Sequence, residues 1–269
     1  MPEQMYSQHG EDLLLLEVFR DQRDGFYIEV GAFDGVYLSN TKALDDRGWR
    51  GVCVEPHPRF FAQLEANRPD AVCIQAACVG DPELTEIVLY AEPHGVLSST
   101  VDGLDADIEG RYERNGLEFP GLEETPVRAR TLDSILAELA AAPAVVDVLS
   151  IDVEGAEVEV LKGLDVDRWR PRVLLLEAND AAAENALDEY VVQSLGYTEA
   201  RRLGVNIFYA REDELAVAIR DAAWEVPAVA SSHPNAGVRL GRGAAAQPTS
   251  PAQGVVAAIR ARLSRLTRR

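Results

Sequence analysis

Three segments place carboxylates and glycines where a sheet edge could do chemistry. The first is Ile28-Glu29-Val30-Gly31-Ala32-Phe33-Asp34-Gly35, an apolar strand running into two glycines. Glycine has no Cβ, so its backbone can come close to a ligand. In open α/β sheets, ligands bind at that carboxyl edge, near the switch point. A dinucleotide site wants G-x-G-x-x-G against a pyrophosphate. Here Phe33 replaces the middle glycine, leaving acid-x-Gly-x-x-x-Gly. That pattern suits a cofactor without phosphate, such as S-adenosylmethionine, whose ammonium and sulfonium favour nearby Glu29 and Asp34. A plain strand-turn junction explains the two glycines as well.

The second segment, Val52-Cys53-Val54-Glu55-Pro56, ends the next strand. An acid there can accept both hydroxyls of a ribose. The third is Leu149-Ser150-Ile151-Asp152-Val153-Glu154-Gly155-Ala156-Glu157. Residues i and i+2 of a strand share a face, which puts Asp152 beside the cofactor and Glu154 close by. Carboxylates there can bind an acceptor hydroxyl, take its proton or hold a metal. Alternatively, Glu154 caps the helix that follows. Glu177-Ala178-Asn179-Asp180 ends a further strand. Asp152 with Glu177, Asn179 or Asp180 could form an all-oxygen site for a divalent cation. Among the histidines, His9 is either a base or a packing residue, His57 is structural or near the adenine, and His94 could reach the acceptor.

These groups need a scaffold. Short apolar runs at Phe26–Gly31, Gly51–Glu55, Val72–Ala76, Glu86–Ala91, Val145–Ile151, Val173–Glu177 and Val205–Ala210 read as strands. Helices are expected at Gln8–Arg20, Ser39–Arg47, His57–Asn67, Leu132–Ala141 and Ala182–Leu195. This alternation indicates a mostly parallel sheet with helices on both faces, closed by an antiparallel edge strand at 205–210. Residues 1–225 form one domain, with 92–125 read as an insertion or lid over the ligand edge. Residues 228–254 read as a disordered linker. Val255, Ile259, Leu263 and Leu266 recur at helical spacing among arginines, so 255–269 reads as a basic amphipathic helix. It could touch a membrane surface or a protein partner, or remain solvated.

Charge and composition exclude other classes. The net charge is −19, and the seven arginines after residue 227 leave −26 on the rest. Such a body repels a phosphate backbone, so no nucleic-acid partner is expected. A small-molecule or glycan acceptor is easier to accommodate. No run of 18 apolar residues and no secretory signal is visible. The three cysteines lack CxxC spacing. A cytoplasmic location follows from these readings.

Taken in order, the segments resemble the FkbM family of methyltransferases. Ser7-Gln8-His9-Gly10-Glu11-Asp12 resembles its N-terminal signature. Glu29–Gly35, Ser39-Asn40-Thr41, Gly48–Gly51 with Glu55-Pro56, Thr131–Asp133, Asp152–Glu157 and Asn206–Tyr209 match the segments that follow. The family often has a polar residue at Phe33 and lysine at Ser150. The resemblance implies a Rossmann-like class I methyltransferase fold, S-adenosylmethionine as donor, and hydroxyl acceptors on sugars or natural products. It implies cofactor contacts from Glu29, Gly31, Ala32, Phe33, Asp34, Gly35, Ser39, Asn40, Glu55, Pro56 and Asp152. Asp152, His9 and Glu154 are the candidate catalytic groups for direct transfer to oxygen. A nicotinamide-dependent oxidoreductase and a non-catalytic cofactor-binding scaffold are the rival readings.

Overall fold

A computed structural model of the chain describes residues 4–91, 98–99, 121–140 and 143–224. In chain order, β1 (Phe26–Val30), β2 (Arg50–Val54) and β3 (Val72–Ile74) come first. The strands β4 (Ala77–Cys78), β5 (Glu86–Ala91), β6 (Ser98–Ser99) and β7 (Glu123–Arg130) form a second, smaller sheet. The chain then returns through β8 (Val148–Ile151), β9 (Val173–Glu177), β10 (Thr198–Leu203) and β11 (Asn206–Ala210). The main sheet has the order β10-β11-β9-β8-β1-β2-β3. The strands from β3 to β9 pair in parallel, and β11 and β10 add an antiparallel edge. This is the Rossmann-like class I methyltransferase form. Its switch point lies between β1 and β8, where the chain reverses its outward progress.

The helices are α1 (Glu11–Val18), α2 (Lys42–Asp46), α3 (Pro58–Asn67), α4 (Leu132–Ala137), α5 (Glu157–Lys162), α6 (Val166–Trp169), α7 (Ala181–Leu187) and α8 (Asp213–Asp221). Strands buried on both faces read as nearly continuous apolar runs, and β8 and β9 do so up to Ser150 and Glu177. One face carries Ile28, Val30, Leu149, Ile151, Leu174 and Leu176, packed against Leu132, Ile135, Val160 and Leu187. The other carries Tyr27, Cys53, Val148, Leu175 and Phe208, packed against Leu13–Leu16, Leu44, Leu64 and Ile219. On this second face the apolar rule breaks at the carboxyl ends. Glu29, Ser150, Glu177 and Asn206 stand there, all buried. Buried polar groups without partners are costly, so each must be paired.

Several elements differ from their sequence reading. Helix α1 starts at Glu11, not Gln8, because Gly10 is left-handed (φ 93°) and residues 8–10 turn. Ser39–Thr41 precede α2 rather than join it, since the Ser39 and Thr41 hydroxyls and the Asn40 N–H are tied to Glu29. Strand β10 was not expected. Its sequence, Thr-Glu-Ala-Arg-Arg-Leu, lacks apolar alternation, and it pairs outside β11. Strand β7 begins at Glu123, inside the stretch read as an unstructured insertion, and Ser98–Ser99 pair with β5. Residues 92–97, with His94, and 100–120 lie outside the described residues. So do the linker and tail helix read at 228–269. The helix expected over 182–195 is α7 followed by a π-helical stretch, Asp188–Ser194.

Candidate functional site

The loop after β1 is fixed by the protein around it. Gly31 is left-handed (φ 80°), and a Cβ there would run into the carbonyl oxygen of Asp152 on the next strand. Gly35 (φ 78°) faces Leu64 Cδ1 and Arg68 Cγ, which would lie 2.7 and 2.9 Å from a Cβ. Both glycines are therefore demanded by close packing, whatever ligand approaches. Phe33 also takes a left-handed conformation, with φ 51°. For a bulky residue this costs roughly 1–2 kcal/mol. Its ring lies 4.3 Å from that of Phe60, and its N–H donates to Glu55 Oε2 at 2.9 Å. Asp34 turns the loop by accepting from the N–H groups of Val36 and Tyr37 at 3.0 and 2.7 Å.

Glu29 is buried, and its carboxylate is fully engaged. It accepts from Ser39 Oγ, the Asn40 N–H, Thr41 Oγ1 and Arg68 Nη2. Asn40 in turn donates through Nδ2 to Ser150 Oγ at 3.1 Å. Of the residues expected at the cofactor, Glu29, Ser39 and Asn40 are thus knitted to one another. They shape the loop's far end. Ala32 is buried, and its N–H donates to the Val54 carbonyl.

Glu55 is different. Each of its oxygens accepts one backbone N–H, from His57 at 2.8 Å and from Phe33 at 2.9 Å. A carboxylate has about four acceptor positions, so lone pairs remain for two hydroxyls. Burial pushes its pKa up to about 7, and the two N–H donors oppose that shift. His57 caps α3, accepting from the Arg59 N–H through Nδ1, and burial lowers its pKa. Pro56 borders a cavity of about 620 Å³ lined also by Pro58, Ile74, Gln75 and Arg128. This cavity lies at the outer end of the sheet, on the Glu55 side.

Across the switch point, the strand registers continue into a row of Gly31, Asp152, Glu177 and Asn206. Asp152 is exposed on its open side although protein crowds it elsewhere. Its pKa rises to about 6, first through partial withdrawal from water and then through the charges of Glu29 and Glu11. Glu177, buried beside it, is pushed well up by desolvation and by the charges of Asp152, Glu154 and Glu157. One proton shared by Asp152 and Glu177 relieves both. Glu154 does not continue the strand, because it is left-handed (φ 55°) and turns away. Its carboxylate still comes back to the row. Oxygens of Asp152, Glu154 and Glu177 lie within 4.8 Å of one another. Asn179 Nδ2 bridges Glu177 at 2.8 Å and Glu154 at 3.3 Å. Both a shared proton and a hard cation are chemically compatible with such a cluster. Asp180 is not part of it, since it caps α7 through the N–H groups of Ala182 and Ala183. Just before α5, the Gly155 N–H donates to Glu157 at 3.0 Å, and the N-cap residue, Ala156, offers the helix no side-chain hydrogen bond.

The N-terminal segment closes the row's far end. Glu11 accepts from Asn206 Nδ2 and from the His9 N–H, both at 2.7 Å. The His9 ring rests on left-handed Gly204 in the β10–β11 turn, where a Cβ would displace it. Asp12 is buried under Ser7 and the Tyr6 N–H, and burial raises its pKa to about 7. Sequence reasoning singled out neither the contact of Glu11 with Asn206 nor Arg68. Nothing local marks Arg68, an arginine just past a helix end. Its importance appears only once Gly35 and Ser39 are folded onto it.

Comparison with known proteins identifies the family. The model of the methyltransferase FkbM domain matches residues 29–202, more than half of the chain. No curated protein matches it. Among solved structures, the METTL16 methyltransferase domain is 12% identical over 76% of this chain and 66% of that one, with a TM-score of 0.42. The precorrin-6y C5,15-methyltransferase from Geobacter metallireducens is 11% identical, covering 78% and 89%, with a TM-score of 0.37. An O-methyltransferase from Bacillus cereus, in complex with SAH, is 11% identical, covering 78% and 84%, with a TM-score of 0.38. These are distant likenesses, and the family match is what decides: the chain belongs to the FkbM methyltransferase family.

Proposed function

We propose that the protein is an S-adenosylmethionine-dependent O-methyltransferase acting on a hydroxyl of a sugar, glycan or natural product. The observation that carries this reading is Glu55, an acid held by two backbone N–H groups with lone pairs left over. It faces, across the Gly31 loop, a carboxylate row with raised pKa values. Glu55 would hold the ribose hydroxyls, with Pro56 and the Gly31–Gly35 loop against the nucleoside. When bound, S-adenosylmethionine supplies an electrophilic methyl group for an acceptor oxygen. Asp152 takes the hydroxyl proton as that oxygen reacts, and Glu177 beside it can share the proton. Glu154 and His9 border the same edge and contact the acceptor. Alignment of the acceptor and exclusion of water are the protein's main contributions.

The acidic edge supports neutral acceptors over phosphate-rich ones. Among the described residues, no helix is long and apolar enough to cross a membrane. Cys53, Cys73 and Cys78 are free thiols, which supports a reducing, cytoplasmic setting. The reading is tested by calorimetry with S-adenosylmethionine and NAD, followed by labelled methyl transfer to sugar-containing extracts. We expect adenosylmethionine to bind, NAD to fail, and label to enter an alkali-stable ether. Binding of NAD alone would point to the oxidoreductase. Tight cofactor binding with no labelled product from any extract would point to a scaffold.

A further inference from the structure

We propose that Arg68 is a positioning residue for cofactor binding, setting the shape of the loop from Gly31 to Thr41 from beneath. The inference rests on the reading that this loop holds S-adenosylmethionine. Arg68 follows α3 directly and is completely buried. Its Nε donates to the Gly35 carbonyl at 2.6 Å and its Nη1 to the Tyr27 hydroxyl at 3.1 Å. Its Nη2 reaches Glu29 Oε2 at 3.1 Å, Ser39 Oγ at 2.6 Å and Thr41 Oγ1 at 3.3 Å. One guanidinium thus grips the loop near its middle, at Gly35, and at its end, at Ser39 and Thr41. The neighbouring residue acts in parallel. Asn67 Nδ2 donates to the Asp34 carbonyl at 2.8 Å. Two consecutive side chains therefore hold two consecutive carbonyls of the loop.

The other end of α3 bears on the same site. Phe60 packs on Phe33, and Glu55, just before the helix, bonds the Phe33 N–H. Helix α3 thereby sets both the glycine loop and the ribose acid from one rigid element. A buried ion pair is weak evidence for stability, because well-packed apolar residues often replace one without loss. A planar fork whose three nitrogens reach five acceptors, in β1 and in the loop after it, specifies shape instead. Lysine carries the charge but not the fork.

The test uses the full chain with Arg68→Lys, Arg68→Met/Glu29→Gln and Asn67→Ala. The double variant avoids leaving Glu29 as a lone buried charge. Asn67 is exposed, so its variant keeps the core intact. Circular dichroism and thermal unfolding establish that each variant is folded at the assay temperature. Calorimetry then gives the dissociation constant for S-adenosylmethionine, and amide exchange reads residues 31–41. We expect the constant to rise about tenfold or more in both Arg68 variants and about threefold in Asn67→Ala. Exchange should accelerate selectively at 31–41 and stay at the wild-type rate in the β10–β11 hairpin. Folded Arg68 variants with unchanged exchange at 31–41 would overturn the proposal, as would unchanged affinity. If the wild type itself fails to bind the cofactor, the functional reading falls, and the exchange measurement still decides whether Arg68 shapes the loop.

Discussion

Gly31 and Asp152 touch through their backbones: the Asp152 carbonyl oxygen occupies the place a Cβ on Gly31 would need. The contact joins β1 to β8 at the switch point, between the expected nucleoside side and the carboxylate row. Gly31→Ala must both move a strand end and adopt φ 80°. We expect a loss of about 2–4 kcal/mol in denaturant unfolding and little remaining cofactor binding. A variant that unfolds like wild type would show that this backbone contact is dispensable.

Phe33 gives a sharper test, because its left-handed backbone reverses a familiar ranking. Alanine normally stabilises a chain relative to glycine by roughly 0.5–1 kcal/mol. At φ 51° the order should invert. Phe33→Ala loses the packing on Phe60 and keeps the strain, whereas Phe33→Gly loses the packing alone. We expect Phe33→Gly to be the more stable of the two by about 1 kcal/mol in parallel urea melts.

The raised carboxyl groups make binding and stability respond to pH in opposite directions. Asp12 and Glu55, at about 7, and Asp152, at about 6, hold protons more tightly folded than unfolded. Their contribution is therefore fully present below the unfolded carboxyl pKa and is lost as pH rises through about 6–7. The cofactor-free protein should melt higher at pH 5.5 than at pH 8, by roughly 4 °C or more. Reduced self-repulsion in an acidic chain acts in the same sense. Binding runs the other way, since Glu55 must be ionised to accept ribose hydroxyls. The dissociation constant for S-adenosylmethionine should rise about tenfold from pH 8 to pH 6, and Glu55→Gln should abolish that dependence.

Asp152→Asn should separate chemistry from binding. A positioned base contributes about 10²–10⁴-fold. We expect turnover to fall by about two orders of magnitude or more, with the cofactor dissociation constant within about threefold of wild type. In the wild type, turnover should rise with pH through an apparent pKa near 6, the region to which Asp152 is pushed. Treatment with a chelator should leave turnover unchanged. A loss restored by added magnesium would instead give Asp152, Glu154 and Glu177 to a cation.

Much of this was legible in the residues. The strands that form the centre of the sheet are short apolar runs, and Glu55 and Asp152 were marked by carboxylates ending such runs. The miss at β10 has a physical cause. An outer strand carrying Glu199, Arg201 and Arg202 needs no apolar alternation, so its pairing with β11 is invisible locally. Gly31 and Gly35 read as places where a ligand could come close, and the fold adds a second demand, because Asp152, Leu64 and Arg68 occupy the positions a Cβ would take. Glu29 was read as a cofactor contact, but Ser39, Asn40, Thr41 and Arg68 saturate it. Such facts depend on contacts between residues far apart in the chain, which no local pattern encodes.

The hydrogen bond between Glu11 and Asn206 spans 195 positions and seals one end of the carboxylate row. Both residues fall outside the stretch matched by the family model, which runs from 29 to 202. Boundaries drawn from that match would cut away both halves of the seal, together with the seat of His9 at Gly204. Anyone trimming the chain to its recognisable portion for expression, or grafting that portion onto a relative, would remove the bond that ties the N-terminal segment to the start of β11. The folded unit is wider than the signature that identifies it.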